Sequence, residues 1–337
     1  MKKLALLLFA ALVVCTIWFL VALRPVRPEN AQMLSATVAP GDSLSVIAEK
    51  LADADLIRSP SAFRIYARIS GLSTRLQAGT FALNRAMSSQ KIIETLVSGK
   101  SQEFFVTIPE GYTVADIDAL MAKKGLGKPG DILDCAFHCD FSTFDFLPVK
   151  TAGSREEGIG SRLEGYLFPE TYAVSPGDYV PKFFLERMLG TFRKRIVEGY
   201  TEEIKASGKS LADLVNMASL VESESRHDEE RAVVAGILWK RLKSRIVLGV
   251  DATTRYVLQK PTETLTKSDV ETDSKYNTRR TQGLPPSPIA NAGESSFKAT
   301  LKPSDSTYWY YLHGNDGAIH YAVTNDEHNV NRAKYLR

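Results

Sequence analysis

The sequence lacks the signatures of several common chemistries. Its five histidines, His138, His227, His313, His320 and His328, form no His-Glu-x-x-His arrangement, which leaves metal-dependent hydrolysis without a motif. It holds no Gly-x-Ser-x-Gly elbow and no phosphate-binding loop, so serine hydrolase and nucleotidase readings have no support. It also lacks a basic excess. The formal charge is +3, but Lys2, Lys3, Arg24 and Arg27 lie within the first 28 positions, which carry no acid; beyond them 38 basic residues face 39 acidic ones. A nucleic-acid surface needs the opposite balance, which argues against such a partner. Glycine and proline, 22 and 15 of 337 residues, are too few for a collagen-like or mucin-like chain. With 44% hydrophobic and 24% charged residues the composition is that of a folded protein, and at roughly 150 residues per domain the length points to about two domains.

What is present begins with an apolar run from Leu4 to Leu23, broken only by Thr16. Twenty residues of helix span about 30 Å, the hydrocarbon thickness of a bilayer. Lys2 and Lys3 precede the run, so the positive-inside rule places the N-terminus in the cytoplasm and the rest of the chain on the outer face. A cleaved signal peptide is the alternative. Against it, the run is longer than a signal core, and Arg24-Pro25-Val26-Arg27-Pro28 offers no small-residue cleavage site. Leu12-Val13-Val14 lacks the small residues of a lipoprotein signal, so Cys15 is expected within the bilayer. The other two cysteines, Cys135 and Cys139, stand four apart. In an exported domain they are open to three readings: a local disulfide, two free thiols, or a metal site recruiting His138.

Local patterns suggest the organisation. Thr37 to Ala39 is strand-like, and Ser43 caps a helix carrying Leu44, Ile47, Ala48 and Leu51 at helical spacing. A second helix is expected from Pro60 to Ile69, a strand over Gly79 to Leu83, and a third helix after Ser88 or Ser89. The strand, turn and capped-helix start recur 70 residues later, with Ile108, Gly111, Thr113, Val114 and Ile117 matching Val38, Gly41, Ser43, Leu44 and Ile47. Residues 125 to 160 carry little pattern and read as an insertion or loop. Helices follow at about Val180 to Val197, Ser210 to Ser225 and Asp228 to Lys243, then short aromatic strands at Thr307 to Leu312 and Ile319 to Val323.

The helix from Ser210 carries the informative feature. At about 100° per residue, Leu211, Leu214, Val215, Ala218 and Val221 fall in one arc of roughly 120°, and Glu222 falls inside it while Glu224 points away. A carboxylate in an apolar stripe is costly to ionise, the environment a general acid needs. The alternative is a Glu that reaches water or is neutralised by Arg226 or Arg231. Glu110, Glu164 and Glu170 sit in contexts suited to lining a cleft.

An ordered set of motifs then carries a resemblance. These are Pro40-Gly41-Asp42-Ser43-Leu44, Gln77-Ala78-Gly79-Thr80-Phe81, Ile108-Pro109-Glu110-Gly111, Glu164-Gly165-Tyr166-Leu167-Phe168-Pro169-Glu170-Thr171-Tyr172, Ala218-Ser219-Leu220-Val221-Glu222, Tyr276-Asn277-Thr278, Gly283-Leu284-Pro285-Pro286 and Glu327-His328-Asn329. With them the chain resembles the YceG-like family of endolytic murein transglycosylases over nearly its whole length. The resemblance implies a membrane-anchored lytic transglycosylase that cleaves the β-1,4 bond between N-acetylmuramic acid and N-acetylglucosamine in peptidoglycan strands and leaves 1,6-anhydro ends. It implies Glu222 as the catalytic acid and base, and no metal or other cofactor. Candidate substrate-binding residues are Asp251, Tyr276, Asn277, Thr278, Glu164, Tyr166, His328 and Asn329, with Phe168 and Tyr172 as further stacking candidates. Asp251 is the candidate second carboxylate.

The implied architecture is α+β. It comprises a cytoplasmic tip and transmembrane helix over 1–27, a tether over 28–35, a LysM-like subdomain over 36–100 and a mixed α+β catalytic region over 101–337. The expected partners are peptidoglycan strands and membrane-bound peptidoglycan synthases, at an inner membrane with the catalytic region outside. Two other readings stand beside this one: a lysozyme-like hydrolase and a non-catalytic glycan-binding scaffold. The chain departs from the family pattern at three places. Gly249 stands where a Gln is usual, Arg279 where an aromatic follows Tyr-Asn-Thr, and Ser287 where a Gly follows the Pro pair.

Overall fold

The computed structural model describes residues 2–30, 33–98, 104–148, 161–174, 179–260 and 262–336. The fold is α+β, with α-helices and three two-stranded sheets among the described residues. The chain divides into two compact units. Unit 1 holds residues 1–106, 120–129 and 171–180; unit 2 holds 107–119, 130–170 and 181–337.

Unit 1 begins with α1 (Lys2–Ala22) and continues through β1 (Met33–Val38), α2 (Leu44–Asp53), α3 (Pro60–Ile69), β2 (Gly79–Asn84) and α4 (Ser89–Ser98). The strands pair antiparallel from Met33 opposite Asn84 to Val38 opposite Gly79. Two serines set the helix starts: Ser43 Oγ accepts the Val46 N–H and Ser59 Oγ that of Ala62, with Pro60 in the first turn of α3. The inward residues Ile47, Leu51, Phe63, Phe81, Ile92 and Leu96 meet in one core. The segment after α1 is anchored rather than free. The Arg58 guanidinium donates to the Pro25 and Val26 carbonyls at 2.9 and 3.1 Å, and the Arg27 N–H donates to Arg85 O at 3.0 Å. Among the described residues no helix is long and apolar enough to cross a membrane.

Strands β3 (Phe104–Thr107) and β4 (Thr171–Val174) form the second sheet. The 70-residue repeat is visible locally. As Ser43 Oγ accepts the Val46 N–H at the start of α2, Thr113 Oγ1 accepts the Asp116 N–H at the start of α5 (Val114–Lys123), and Gly41 and Gly111 both turn the chain at positive φ.

Unit 2 carries α6 (Asp131–His138), α7 (Pro181–Phe192), a π-helical segment (Arg193–Glu198) and α8 (Thr201–Ser207). They are followed by α9 (Leu211–Glu224), α10 (Asp228–Lys243), α11 (Asp251–Leu258), α12 (Lys267–Val270) and α13 (Glu294–Leu301). The chain ends with β5 (Tyr310–His313), β6 (Ile319–Ala322) and α14 (Asn325–Tyr335). Helix α6 lies inside the stretch expected to be unpatterned, and a disulfide joins Cys135 to Cys139 at its end. Both sulfurs are bonded to each other, which removes the thiol and metal readings. His138 Nδ1 instead faces Asp134 at 2.8 Å. The polar stretch over 149–160 lies outside the described residues.

Helix α9 is the centre of unit 2, packed against α10, α11 and α13. Every residue from Leu214 to Val221 is buried, so the helix has no solvent face there, and the single apolar arc drawn from its sequence does not describe it. Each fully buried Leu, Met or Val contributes about 1.5–3 kcal/mol. The polar members are satisfied: Asn216 Nδ2 donates to Pro285 O at 2.7 Å, and Ser219 Oγ accepts the Ile289 N–H at 3.1 Å. These bonds fix the loop over 276–289 to α9. The loop packs so closely that a Cβ on Gly165, which has φ +85°, would lie 2.5 Å from Pro288 and 2.9 Å from Val215.

Gly130 has a similar φ of +98° and open space around it. Gly130→Ala is therefore expected to cost about 1 kcal/mol, the left-handed strain alone, and Gly165→Ala about 2–4 kcal/mol because steric overlap adds. Urea unfolding of the two variants checks this. Equal losses would show that Gly165 is not selected by contact.

Candidate active site

Helices α9 and α10 are joined by three residues, and their ends create the site. Glu230 closes the turn by accepting the Arg226 and His227 N–H groups at 2.9 and 3.3 Å. This puts Arg231, on the first turns of α10, against Glu222, on the last turn of α9. Arg231 Nη1 donates to Glu222 Oε1 at 2.9 Å, and the two side chains are only 9% and 8% exposed. The second carboxylate oxygen, Oε2, accepts the Gly293 N–H at 2.9 Å. Arg231 also donates to Asp228 at 2.8 Å and to Ser296, and it faces Glu110 at 3.8 Å. One guanidinium thus meets three carboxylates. Burial works against the charge of Arg231, but the bond and charge of Glu222 outweigh it and raise its pKa. The Glu110 carboxyl is pushed up by burial and then by the Glu222 charge, against the pull of Arg231. Gly293 makes room for this arrangement: a Cβ there would lie 2.0 Å from Glu110 Oε1.

Glu222 is therefore not held in an apolar slot. Its place in the sequence arc is real, but the tertiary neighbours at that position are a guanidinium and a backbone N–H. The alternative noted from the sequence, pairing with Arg231, is what the geometry shows.

Beside this cluster lies a cavity of about 590 Å³ whose lining includes Gly111, Glu164, Ser223, Glu224, Asp251 and Tyr256. Glu222 stands at its edge. The adjacent Ser223 lines it, and a Cβ on Gly111 would come within 3.9 Å of Glu222 Cγ. Two further glutamates occupy the wall. Glu164 accepts the Val114 N–H at 3.1 Å, the Tyr256 hydroxyl at 3.0 Å and Asn291 Nδ2 at 3.3 Å. Burial outweighs these donors and pushes its carboxyl up to about 8. Glu224 accepts the Tyr311 hydroxyl at 2.9 Å, and burial pushes it up to about 7.

The other candidates separate by location. Asp251 opens α11, lines the cavity and pairs with Arg279 at 2.5 Å. The carboxylates that share Arg231 with Glu222 are Asp228 and Glu110. Tyr276 shares a 2.6 Å hydrogen bond with Ser287 and packs 5.5 Å from the Tyr256 ring. Asn277 is fully buried: its Nδ2 donates to the Val270 and Thr272 carbonyls, and its Oδ1 accepts the Arg279 N–H. Thr278 is equally enclosed and accepts the Val250 N–H at 3.0 Å. Both residues shape the wall from behind. Tyr166 is core, packed 5.3 Å from the Phe192 ring; Phe168 and Tyr172 are also buried. His328 lines a second cavity, Asn329 lies exposed on α14, and Glu170 pairs with Arg195.

Reasoning from sequence missed Glu224, Tyr256, Tyr311 and Asn291, and it treated Arg231 only as a neutraliser. Helical projection ranks Glu224 as outward-facing, and only the packing of β5 and α11 buries it. The Glu-x-Glu spacing at the end of an apolar helix was the one available signal.

Comparison with known proteins bears on this geometry. An endolytic murein transglycosylase of Bacillus subtilis is 33% identical over 321 residues, covering 93% of this chain and 88% of that protein. One from Streptococcus pneumoniae is 26% identical over 341 residues, covering 94% of this chain and 60% of its own length. The crystal structure of a YceG-like protein from Listeria monocytogenes superposes with a TM-score of 0.63 at 29% identity, covering 89% of this chain and 98% of that one. The YceG-like family itself matches residues 36–334, and the chain belongs to it.

Proposed function

We propose that this chain is an endolytic murein transglycosylase that cleaves the β-1,4 bond between N-acetylmuramic acid and N-acetylglucosamine within peptidoglycan strands. The observation that carries the reading is the buried Glu222–Arg231 pair, with Glu110 across the same guanidinium, at the edge of the 590 Å³ cavity. Similarity to the Bacillus subtilis enzyme supports it.

The reaction needs one carboxyl that gives a proton and then takes one. Glu222 donates to the glycosidic oxygen, and the C1–O bond breaks. The N-acetyl group of the muramyl ring supports the positive charge at C1 as the leaving sugar departs. The muramyl 6-hydroxyl then closes onto C1, and its proton passes to Glu222. The products are a 1,6-anhydro end and a free 4-hydroxyl, and no water is consumed. Arg231 and the Gly293 N–H hold the carboxylate in place throughout. Glu110 faces the same guanidinium as Glu222 and Asp228, and its carboxyl is pushed up by burial and then by the Glu222 charge. Glu110 is the member raised by this environment, and it is the proton reservoir of the cycle.

The same proposal places the chain at a membrane. Phe9, Leu12, Val14, Ile17, Trp18 and Leu20 of α1 are exposed and apolar around the whole helix, a surface that water disfavours and lipid accepts. The Cys135–Cys139 disulfide fits an oxidising compartment outside the cytoplasm. We assign 1–27 to the anchor and 36–100, with its β1-α2-α3-β2 order, to a LysM-like subdomain. A tether restricts the enzyme to strands close to the membrane, where synthases make new glycan.

Glu222→Gln is expected to remove anhydro-muramyl ends from digested peptidoglycan, a loss of about 10³-fold or more, read by muropeptide chromatography. Reducing ends from the wild type would indicate a hydrolase instead, and intact strands bound without cleavage would indicate a scaffold. Glu110→Gln is expected to lower kcat about 10–100-fold. Protonated Glu110 is lost as pH rises, so wild-type activity falls on the alkaline side and that limb changes in the variant; an unchanged pH–rate profile would remove Glu110 from the cycle. A chain lacking residues 1–27 is expected to fail to restore the cell-wall phenotype of a deletion strain. Full restoration would refute the tether.

A further inference from the structure

A second cavity of about 520 Å³ shares Glu224 and Asp251 with the first and is otherwise lined in part by Arg241, Arg279, His328 and Arg332. Its charges do not balance. Arg279 is matched by Asp251 at 2.5 Å. Among the described residues neither Arg241 nor Arg332 has a carboxylate partner. Arg241 is half-buried, and its guanidinium lies over the Tyr310 ring, 5.4 Å from the centroid. Burial and the nearby Arg279 charge both weigh against its own charge. The His328 ring stacks on the same tyrosine at 5.3 Å, and its buried Nδ1 has no hydrogen-bond partner. Burial, then Arg332 and Arg241, hold His328 below its ordinary range. Gly249 leaves that side of Arg241 without a covering side chain, since a Cβ there would stand in van der Waals contact with its Nη2, at 3.8 Å. With Asp251 taken up by Arg279 and Glu224 by the Tyr311 hydroxyl, Arg241 and Arg332 face the cavity without a direct carboxylate partner, beside a buried unsatisfied nitrogen, an arrangement that favours a bound anion.

We infer that this cavity is a subsite for a free carboxylate of the peptide stem carried by the glycan strand, with Arg241 and Arg332 as its ligands. The inference rests on the proposed substrate. An N-acetylated glycan backbone is neutral, whereas each muramyl lactyl group bears a peptide with free carboxylates. A strand lying in the first cavity brings that branch to the second, because the two share Glu224 and Asp251. The subsite therefore makes the enzyme selective for strands that still carry peptides.

The test is a titration of the full chain with a lactyl-linked stem peptide and with its fully amidated form, followed by NMR. The free acid is expected to bind at least about tenfold more tightly, the scale of one charge-assisted hydrogen bond. Arg332→Ala, at an exposed position that folding tolerates, is expected to lose about the same factor, and Arg241→Lys part of it. Equal binding of the two peptides, or no change in either variant, would overturn the subsite. Cleavage supplies the second readout. Arg332→Ala is expected to lower kcat/KM about tenfold more on peptide-bearing strands than on strands stripped by an amidase; an equal effect on both would also overturn it. Should the wild type cleave neither strand, the transglycosylase reading falls, while the peptide titration still decides the subsite.

Discussion

The contact between Glu222 and Arg231 is the constraint on which the rest of unit 2 depends. It joins the last turn of α9 to the first turns of α10, with both side chains almost out of water. A pair in that position contributes little net stability, because desolvation of two charges offsets most of their attraction. Removing one partner is another matter, since it strands a buried charge at a cost of about 3–5 kcal/mol. The surrounding bonds make sense as the means of tolerating the pair. Gly293 brings a backbone donor to Glu222, Ser296 and Asp228 take further donors of Arg231, and Glu230 pins the turn that sets the two helices in register. An arrangement this demanding in polar partners is explained better by chemistry at the carboxylate than by packing.

The glutamates around the cavity show how one side-chain type is differentiated by its neighbours. Glu164 lies deepest, among two amide donors and a tyrosine, yet burial prevails and favours its neutral form. Glu224 has one phenolic donor and is displaced less. Glu110 is half open to solvent and is raised partly by the charge of Glu222. Separation of proton affinities among adjacent carboxyls is what acid and base chemistry in one site requires.

Much of the scaffold was legible in the residues. Ser43 and Ser88 announce helix starts that the structure uses, and α9 and α10 fall where periodicity places them. Helices α11 and α13 did not stand out. Each is eight residues long, and what fixes them is packing on α9 rather than a local stripe. The same cause explains the site. Glu222 could be singled out from spacing and Arg231 named as one of two arginines near it, but its other partner comes from position 293, which no local pattern connects to it. Asn277 and Thr278 were legible as important polar residues of a loop, but whether such a group faces a ligand or braces the backbone depends on carbonyls at 270 and 272 and on an amide at 250.

Gly249 and Arg279 line the second cavity, and Ser287 lies on the loop that carries Arg279. Arg279, in place of an aromatic, supplies the cation that Asp251 holds. Ser287, in place of glycine, supplies the hydroxyl that bonds Tyr276 and keeps its ring beside Tyr256. Gly249, in place of glutamine, takes a positive φ of +68° and donates its N–H to Thr278 O, which fastens the segment before α11 to the loop. It also removes the side chain that would lie over Arg241. Asp251, Tyr276 and Thr278 are thus each held by one of these three residues, while α9 stays tied to the same loop through Asn216 and Ser219. The edge that carries Glu222 is fixed by the buried helix, and the facing loop is held to it through Asn216 and Ser219 and braced by the Arg279–Asp251 pair.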